Sequence, residues 1–211
     1  MILLHAVPSP FCRKIDIVVE HHGLSDKVYV QIAKTHDVND RLEKENPLGK
    51  IPTLIMPNGD SLYDSEVIFN YLDDLGDEAK LMPQGNDKYL QLTHAKLATG
   101  ITDAALLVVY EGRLRPADKY CQEIVDMQMA KVTKGLNWFV DNPPQLQKLN
   151  IVNISLAILL EYLDIRINED AKHGTELGEN KGQWRSSHPE LEAWLAGFYG
   201  LYPKFADTRP Y

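Results

Sequence analysis

Cysteine is nearly absent from the sequence: Cys12 and Cys121 are the only two. Two thiols in a chain this long make no disulfide framework, which fits a reducing compartment. A basic excess is also missing. The formal net charge is −8, which excludes non-specific affinity for nucleic acid or anionic membrane as the main function. No long apolar run is present. The longest, Ile151 to Leu160, carries Asn153 and Ser155, and a membrane helix needs about twenty apolar residues. The opening run from Met1 to Ala6 is too short for a secretory leader, so the expected location is cytoplasmic. No glycine-rich phosphate loop occurs. His5, His21, His22, His36, His94, His173 and His188 are scattered, and no pair has metal-ligand spacing. They are expected as surface or packing residues, with no metal.

What is there suits a soluble globular protein. The 211 residues are 44% hydrophobic and 25% charged, enough for one large domain or two small ones with a sizeable core. The first part alternates strands and helices. Ile2 to Ala6 is a short apolar run of buried-strand type. Ser9-Pro10 marks a helix start, with serine as cap and proline at the first helical position. Phe11, Ile15, Val18, Val19 and His22 follow at helical spacing, and Gly23 is placed to stop the helix. Val28, Val30 and Ile32 alternate with polar residues and predict a second strand, parallel to the first.

Lys34 to Asn46 is polar and predicts a loop with a short helix. Pro52 to Met56, Asn58-Gly59 and Ser61 to Tyr63 predict a hairpin. Asp64 then caps a helix whose apolar face is Val67, Ile68, Tyr71, Leu72 and Leu75, with Tyr63 and Ile68 as a staple across the cap. The expected division is an α/β domain over 1–76, a linker over 77–86 and an all-α helical domain over 87–211. In the second part Leu90, His94, Leu97, Ile101, Ala105 and Val108 predict a long helix closed at Gly112. Pro116 opens another, ending near Asp141 before Asn142-Pro143-Pro144. Ile151 to Ile165 is apolar on nearly all sides, the pattern of a buried central helix. Pro189 starts a last one.

Three short segments carry chemistry. Ser9-Pro10-Phe11-Cys12 sits at a strand-to-helix turn, where unpaired N–H groups and a partial positive charge favour an anion such as a thiolate. Ser9 can donate to that thiolate, or simply cap the helix. Cys12 lies one turn in, where a thiol pKa can fall, or it is a small buried side chain. Asn46 to Leu54 holds Pro47 and Pro52. A proline at a strand start is a candidate cis residue, leaving the Ile51 backbone open to pair with an extended peptide; the alternative is a rigid loop that only aligns the hairpin. Asp64-Ser65 begins a helix. Ser65 and nearby amides can hold a carboxylate and Asp64 an ammonium, or the pair is an ordinary cap.

Ser9-Pro10-Phe11-Cys12-Arg13-Lys14, Asn46 to Leu54 and Tyr63-Asp64-Ser65 together resemble, in order, the glutathione-site motifs of the glutathione S-transferase superfamily. The helical half is similar too, through Gly100 to Ala104, Glu161 to Arg166, His188-Pro189 to Trp194, and Thr208-Arg209-Pro210. The resemblance covers nearly the whole chain and looks nearest to bacterial members with a serine-type site. It implies a thioredoxin-like first domain. Ser9 becomes the hydroxyl donor to the glutathione thiolate, and so the catalytic residue. Ile51, before a cis Pro52, pairs with the cysteinyl part; Asp64 and Ser65 hold the γ-glutamyl end; Lys50 faces the glycyl carboxylate. Phe11, Asp103, Leu106 and Tyr110 line the pocket for a hydrophobic electrophile. The resemblance also implies a homodimer, with glutathione as cosubstrate and no other cofactor.

Two departures stand out. The family's Ser/Thr-x-x-Asp cap of the buried helix reads Asn150-Ile151-Val152-Asn153 here, which still caps but drops a negative charge. Thiol-transferase members carry a reactive cysteine where this chain has Ser9, so disulfide chemistry is disfavoured. Conjugation, another glutathione-dependent reaction (thioether lysis, isomerisation, peroxide reduction) and non-catalytic binding remain. The intact Ser9, Ile51, Asp64 and Ser65 argue against the last.

Overall fold

The computed structural model describes residues 1–35, 37–167 and 184–208; His36, His173 and the Arg209-Pro210 part of the C-terminal motif lie outside them. The chain divides into two compact units. One is Met1–Met82 together with the segment from Lys204, and the other is Pro83–Pro203. The last segment clusters with the first unit.

The first unit is built on β1 (Ile2–His5), β2 (Tyr29–Ile32), β3 (Thr53–Ile55) and β4 (Ser61–Leu62), in the order β2-β1-β3-β4. β1 pairs parallel to β2 and antiparallel to β3, and β3 pairs antiparallel to β4. Helices α1 (Pro10–His21), α2 (Leu42–Glu45) and α3 (Ser65–Leu75) complete it, with α9 (Lys204–Asp207) at the end of the chain. The two-residue period of a strand sends alternate side chains to opposite faces. Leu4 and Ile55 share one face and pack with Ala33 and Leu42. His5 points the other way, and its Nε2 lies 3.0 Å from Asp16 of α1. Arg13 of α1, 4% exposed, donates to the Phe205 carbonyl and the Thr208 hydroxyl, tying α9 to this unit.

β2 departs from expectation. Val28 is buried but lies just before the strand, while Val30 and Ile32 are 55% and 58% exposed. Alternation there does not mark a core face. β2 is an edge strand fixed by its ladder to β1, and the residues paired across that ladder need no cover of their own. Gly23 takes φ +60 just past α1, as expected of a helix stop.

The second unit is helical: α4 (Lys88–Leu114), α5 (Gln122–Asp141), α6 (Ile151–Arg166), α7 (Trp184–Ser187) and α8 (Pro189–Leu201). α4 runs through Gly112 rather than ending there, and Arg115 caps it. A lone glycine costs about 1 kcal/mol in a helix, which the packing of a long helix offsets. Pro116 leads into a 3₁₀ turn, Ala117–Lys119, and α5 begins only at Gln122. α4 is long and apolar enough by length and composition to cross a membrane. It packs instead along α5 and α6, and Ala98, Ile101, Ala105, Val108 and Val109 of that face are core. Gly135 of α5 permits that approach: a Cβ there would stand 2.3 Å from Ile101.

α6 is buried on nearly all sides, as its composition predicts. Its N-terminus is a reciprocal capping box. Asn150 accepts from the amides of Val152 and Asn153, and Asn153 accepts from the amide of Asn150. Asn153 is fully buried, and its side-chain N–H group donates to the carbonyls of Gln145 and Lys148. An aspartate in that place accepts only. The asparagine therefore exchanges a charge favourable to the helix dipole for two hydrogen bonds to the preceding loop.

Candidate active site

The sheet brings the three segments to one end. β1 runs toward that end and finishes at His5. β3 starts there, with Thr53 opposite Leu4. β4 runs antiparallel to β3, so Leu62 and the turn after it return to the same end. Ser9, Ile51-Pro52 and Asp64-Ser65 thus belong to three loops at one edge of the unit. α1 and α3 pack together and both begin from these loops. Each presents the positive end of its dipole, though in α1 Pro10 has no N–H and Ser9 takes the amides of Cys12 and Arg13.

Ser9 is half-buried and caps α1. Its Oγ accepts from the Cys12 amide at 3.3 Å. An oxygen that accepts from an amide still has its own proton to give. Cys12 is fully buried. Burial pushes its thiol up to about 12, against the downward pull of bonds to Ser9 and the Ala6 backbone. Of the two readings of Cys12, the structure supports the packing side chain. A neutral thiol is a weak acceptor, so the Ser9 proton remains available to a stronger one.

The peptide bond before Pro52 is cis. Ile51 is half-buried, and its N–H and C=O make no hydrogen bond among the described residues. Its loop is pinned by two residues to which the motif alone assigns no task. Asn46, 1% exposed, donates to the Lys50 carbonyl at 2.9 Å and to the Thr53 hydroxyl at 3.0 Å, and accepts from the Leu48 amide. Thr53, fully buried, donates to the same Lys50 carbonyl. Gly49 takes φ +57, and a Cβ there would meet Glu43 Oε1 at 2.6 Å. A polar residue just before a Pro-x-Gly turn is the sequence signal for such a pin. Lys50 itself is exposed.

Asp64 is exposed and caps α3, its Oδ1 accepting from the Glu66 amide at 3.0 Å. Ser65, 6% exposed, makes no side-chain hydrogen bond among the described residues. The peptide between Tyr63 and Asp64 is also cis. Both Ser9 and Asp64 are therefore genuine caps, and capping leaves the Ser9 proton and one Asp64 oxygen for other partners.

Of the four residues expected to line the electrophile pocket, Phe11 is half-buried near the start of α1 in the first unit. The others lie on α4 in the helical unit: Asp103 exposed, Leu106 half-buried, Tyr110 40% exposed. The buried histidines have specific partners. His22 meets Asp73, and His188 contacts Ser187, the Trp184 carbonyl and Asn137. Among the described residues, no group of His, Cys, Asp and Glu is arranged to hold a metal ion.

Residues 3–80 match the family model for the N-terminal domain of glutathione S-transferases. Over its full length the chain is similar to a glutathione transferase family member from Pseudomonas fluorescens Pf-5, solved with bound glutathione. The two are 34% identical with a TM-score of 0.84, and the similarity covers 98% of that chain. The same family member solved with S-(propanoic acid)-glutathione aligns at 33% identity and TM-score 0.82, covering all of both chains. An uncharacterized GST-like protein of Escherichia coli, YibF, is 27% identical over 79% of this chain and 83% of its own. With that full-length likeness, and the three loops gathered at one end of a β2-β1-β3-β4 sheet, the chain belongs to the glutathione S-transferase family.

Proposed function

We propose that the protein binds glutathione at the Ser9, Ile51 and Ser65 end of its sheet and adds the sulfur to a small electrophile, a detoxifying conjugation. The observation that carries this is the Ser9 hydroxyl, which caps α1 yet keeps a proton to donate where two helix N-termini meet. An unperturbed thiol of pKa about 8.5 is only a few per cent ionised at neutral pH. Each unit of lowering represents about 1.4 kcal/mol of preference for the thiolate. One charge-assisted hydrogen bond contributes about 1.5–3 kcal/mol. Ser9 and the α1 dipole together are therefore enough to make bound glutathione largely nucleophilic without a general base.

The cosubstrate then lies extended. Its cysteinyl part pairs with the free Ile51 backbone, its γ-glutamyl end meets Asp64 and Ser65, and its glycyl carboxylate faces Lys50. Support comes from the similar chain that holds glutathione. The thioether bound in the second structure of that relative is either a product of conjugation or a substrate of lysis, so thioether lysis stands as the second reading. Turnover of glutathione with a panel of aryl halides, enones, hydroperoxides and aryl ethers tests the proposal; consumption of glutathione with none of them overturns conjugation.

Ser65→Ala is expected to raise the glutathione KM roughly tenfold or more, the loss of one charge-assisted bond of about 1.5–3 kcal/mol. Because that bond is distant from the sulfur, kcat changes less. A fall in kcat at constant KM contradicts the assignment. Cys12→Ser is expected to keep at least half the conjugation rate in initial-velocity assays, since the thiol is buried and protonated. Capture of glutathione on Cys12 during turnover, detected by mass spectrometry, would move the function to thiol transfer.

The proposal extends to a homodimer. Family resemblance motivates it, and apolar side chains stand exposed on α3 (Val67) and α4 (Tyr89, Leu90). Light scattering at micromolar concentration is expected to give twice the mass of one chain; a single-chain mass refutes the dimer.

A further inference from the structure

Asn46 follows the last turn of α2, and Thr53 opens β3, where it pairs with Leu4 of β1. Both side chains are buried, and all their donors converge on one place. Thr53 Oγ1 donates to the Lys50 carbonyl at 2.9 Å. The Asn46 side-chain N–H group donates to the same carbonyl at 2.9 Å and to Thr53 Oγ1 at 3.0 Å. The three groups close a triangle. The remaining acceptors of Asn46 are used as well: Oδ1 takes the Leu48 amide and the backbone carbonyl takes the Gly49 amide.

The triangle fixes more than the place of the loop. The peptide bond from Lys50 to Ile51 is trans, and in a planar trans unit the C=O and the N–H point in opposite directions. Holding the Lys50 carbonyl toward Asn46 and Thr53 therefore turns the Ile51 N–H away from them. That N–H has no partner among the described residues. The Ile51 side chain packs against the cluster of Leu4, Ala33, Leu42 and Ile55, which holds the residue from a second direction. A flip of the peptide plane would bring a carbonyl to where the N–H now stands. It would also aim that N–H at the donors of Asn46 and Thr53, leaving buried donors without an acceptor, a costly state. The loop edge is thus locked as a donor.

We propose that Asn46 and Thr53 are positioning residues for the cosubstrate: they set the polarity of the Lys50–Ile51 peptide so that the loop edge takes the cysteinyl carbonyl of glutathione and refuses a donor in its place. A site of this kind works only when buried partners hold the binding group in its productive orientation. The inference rests on the glutathione site proposed above and names the residues that orient it.

The test combines initial rates against glutathione concentration with calorimetry on S-methylglutathione, which binds without a thiol to ionise. Thr53→Val removes the hydroxyl and keeps the shape. It is expected to raise the glutathione KM and the S-methylglutathione Kd by about fivefold or more, with kcat falling less than KM rises. Asn46→Asp removes both side-chain donors and is expected to raise the two constants by about tenfold or more. Thr53→Ser keeps the hydroxyl and should stay within about twofold of wild type on both. Residues that only stabilised the fold would act otherwise: their loss would reduce the amount of active enzyme, lowering kcat and leaving KM and Kd unchanged. That pattern overturns the positioning role. So does a Thr53→Ser variant that binds no better than Thr53→Val. If Asn46→Asp fails to fold, the two Thr53 variants decide. A wild type that binds no S-methylglutathione overturns the glutathione site itself, and the positioning role falls with it.

Discussion

Ser9→Ala is expected to lower conjugation at neutral pH by roughly tenfold to a hundredfold while glutathione affinity changes little. In the proposed function the hydroxyl donates a hydrogen bond to the thiolate and keeps its proton, and losing that bond should raise the pKa of the bound thiol by about one to two units. The deficit should shrink as pH rises, because glutathione then ionises unaided. Ser9 is also a helix cap, with its Oγ 3.3 Å from the Cys12 amide, and alanine removes the cap too, at about 1 kcal/mol of stability. Glycine separates the two roles. It replaces a serine cap at a cost of only a few tenths of a kcal/mol, yet it has no hydroxyl. Ser9→Gly should therefore melt close to the wild type and be as slow as Ser9→Ala, whereas Ser9→Thr keeps both functions. Ultraviolet titration of the thiolate in each complex provides the check. Equal midpoints in wild type and Ser9→Gly would remove Ser9 from the chemistry.

The cap at Ser9 shows how far the sequence reaches. Ser-Pro before a helical period signals the cap, and the structure places the serine there with its amide partner. Sequence alone leaves the Cys12 thiol open between a lowered pKa and inert burial. The helix N-terminus pulls one way and desolvation the other, and only packing decides which prevails. Here the thiol is fully buried, and desolvation wins. The loop motif is legible as a chain of prolines and a glycine. What pins it is not, because Asn46 and Thr53 act through buried side-chain bonds to a single carbonyl, and polar residues in a loop carry no burial signal. Alternation misled at β2 for the converse reason: a strand period reports pairing, while cover depends on what lies beyond the edge. Gly112 does not stop α4, and Pro116 does not start α5. A helix packed along two others continues through a glycine, and a proline can open a 3₁₀ turn as readily as an α-helix.

Asp73→Ala is expected to destabilise the protein by about 3–5 kcal/mol, because it leaves several buried donors without an acceptor at about 1–3 kcal/mol each. Asp73 lies in the last turn of α3 and is 1% exposed. A carboxylate at a helix C-terminus opposes the dipole, so its partners must more than compensate. They are the amides of Leu81 at 2.8 Å and Met82 at 3.0 Å, and His22 Nε2 at 2.9 Å. His22 Nδ1 is buried with no partner among the described residues, so the bonding proton sits on Nε2. Gly76 makes room for that ring: a Cβ there would come within 2.1 Å of it. Asp73 thus binds α1, α3 and the start of the linker at one point, and alanine leaves two buried amides and a ring N–H without acceptors. Burial pushes the Asp73 carboxyl up, but the Leu81 amide, His22 and the Met82 amide outweigh it and hold it below the usual range. A depressed carboxyl stabilises the fold above its unfolded pKa of about 3.9, and that contribution is lost as pH falls through the folded value. In urea at neutral pH the midpoint of Asp73→Ala should fall by about 1 M or more. As pH drops below about 4, wild type should lose stability faster than the variant and the gap should narrow. A gap that stays constant down to the pH at which the wild type itself unfolds would show that the carboxylate charge contributes nothing.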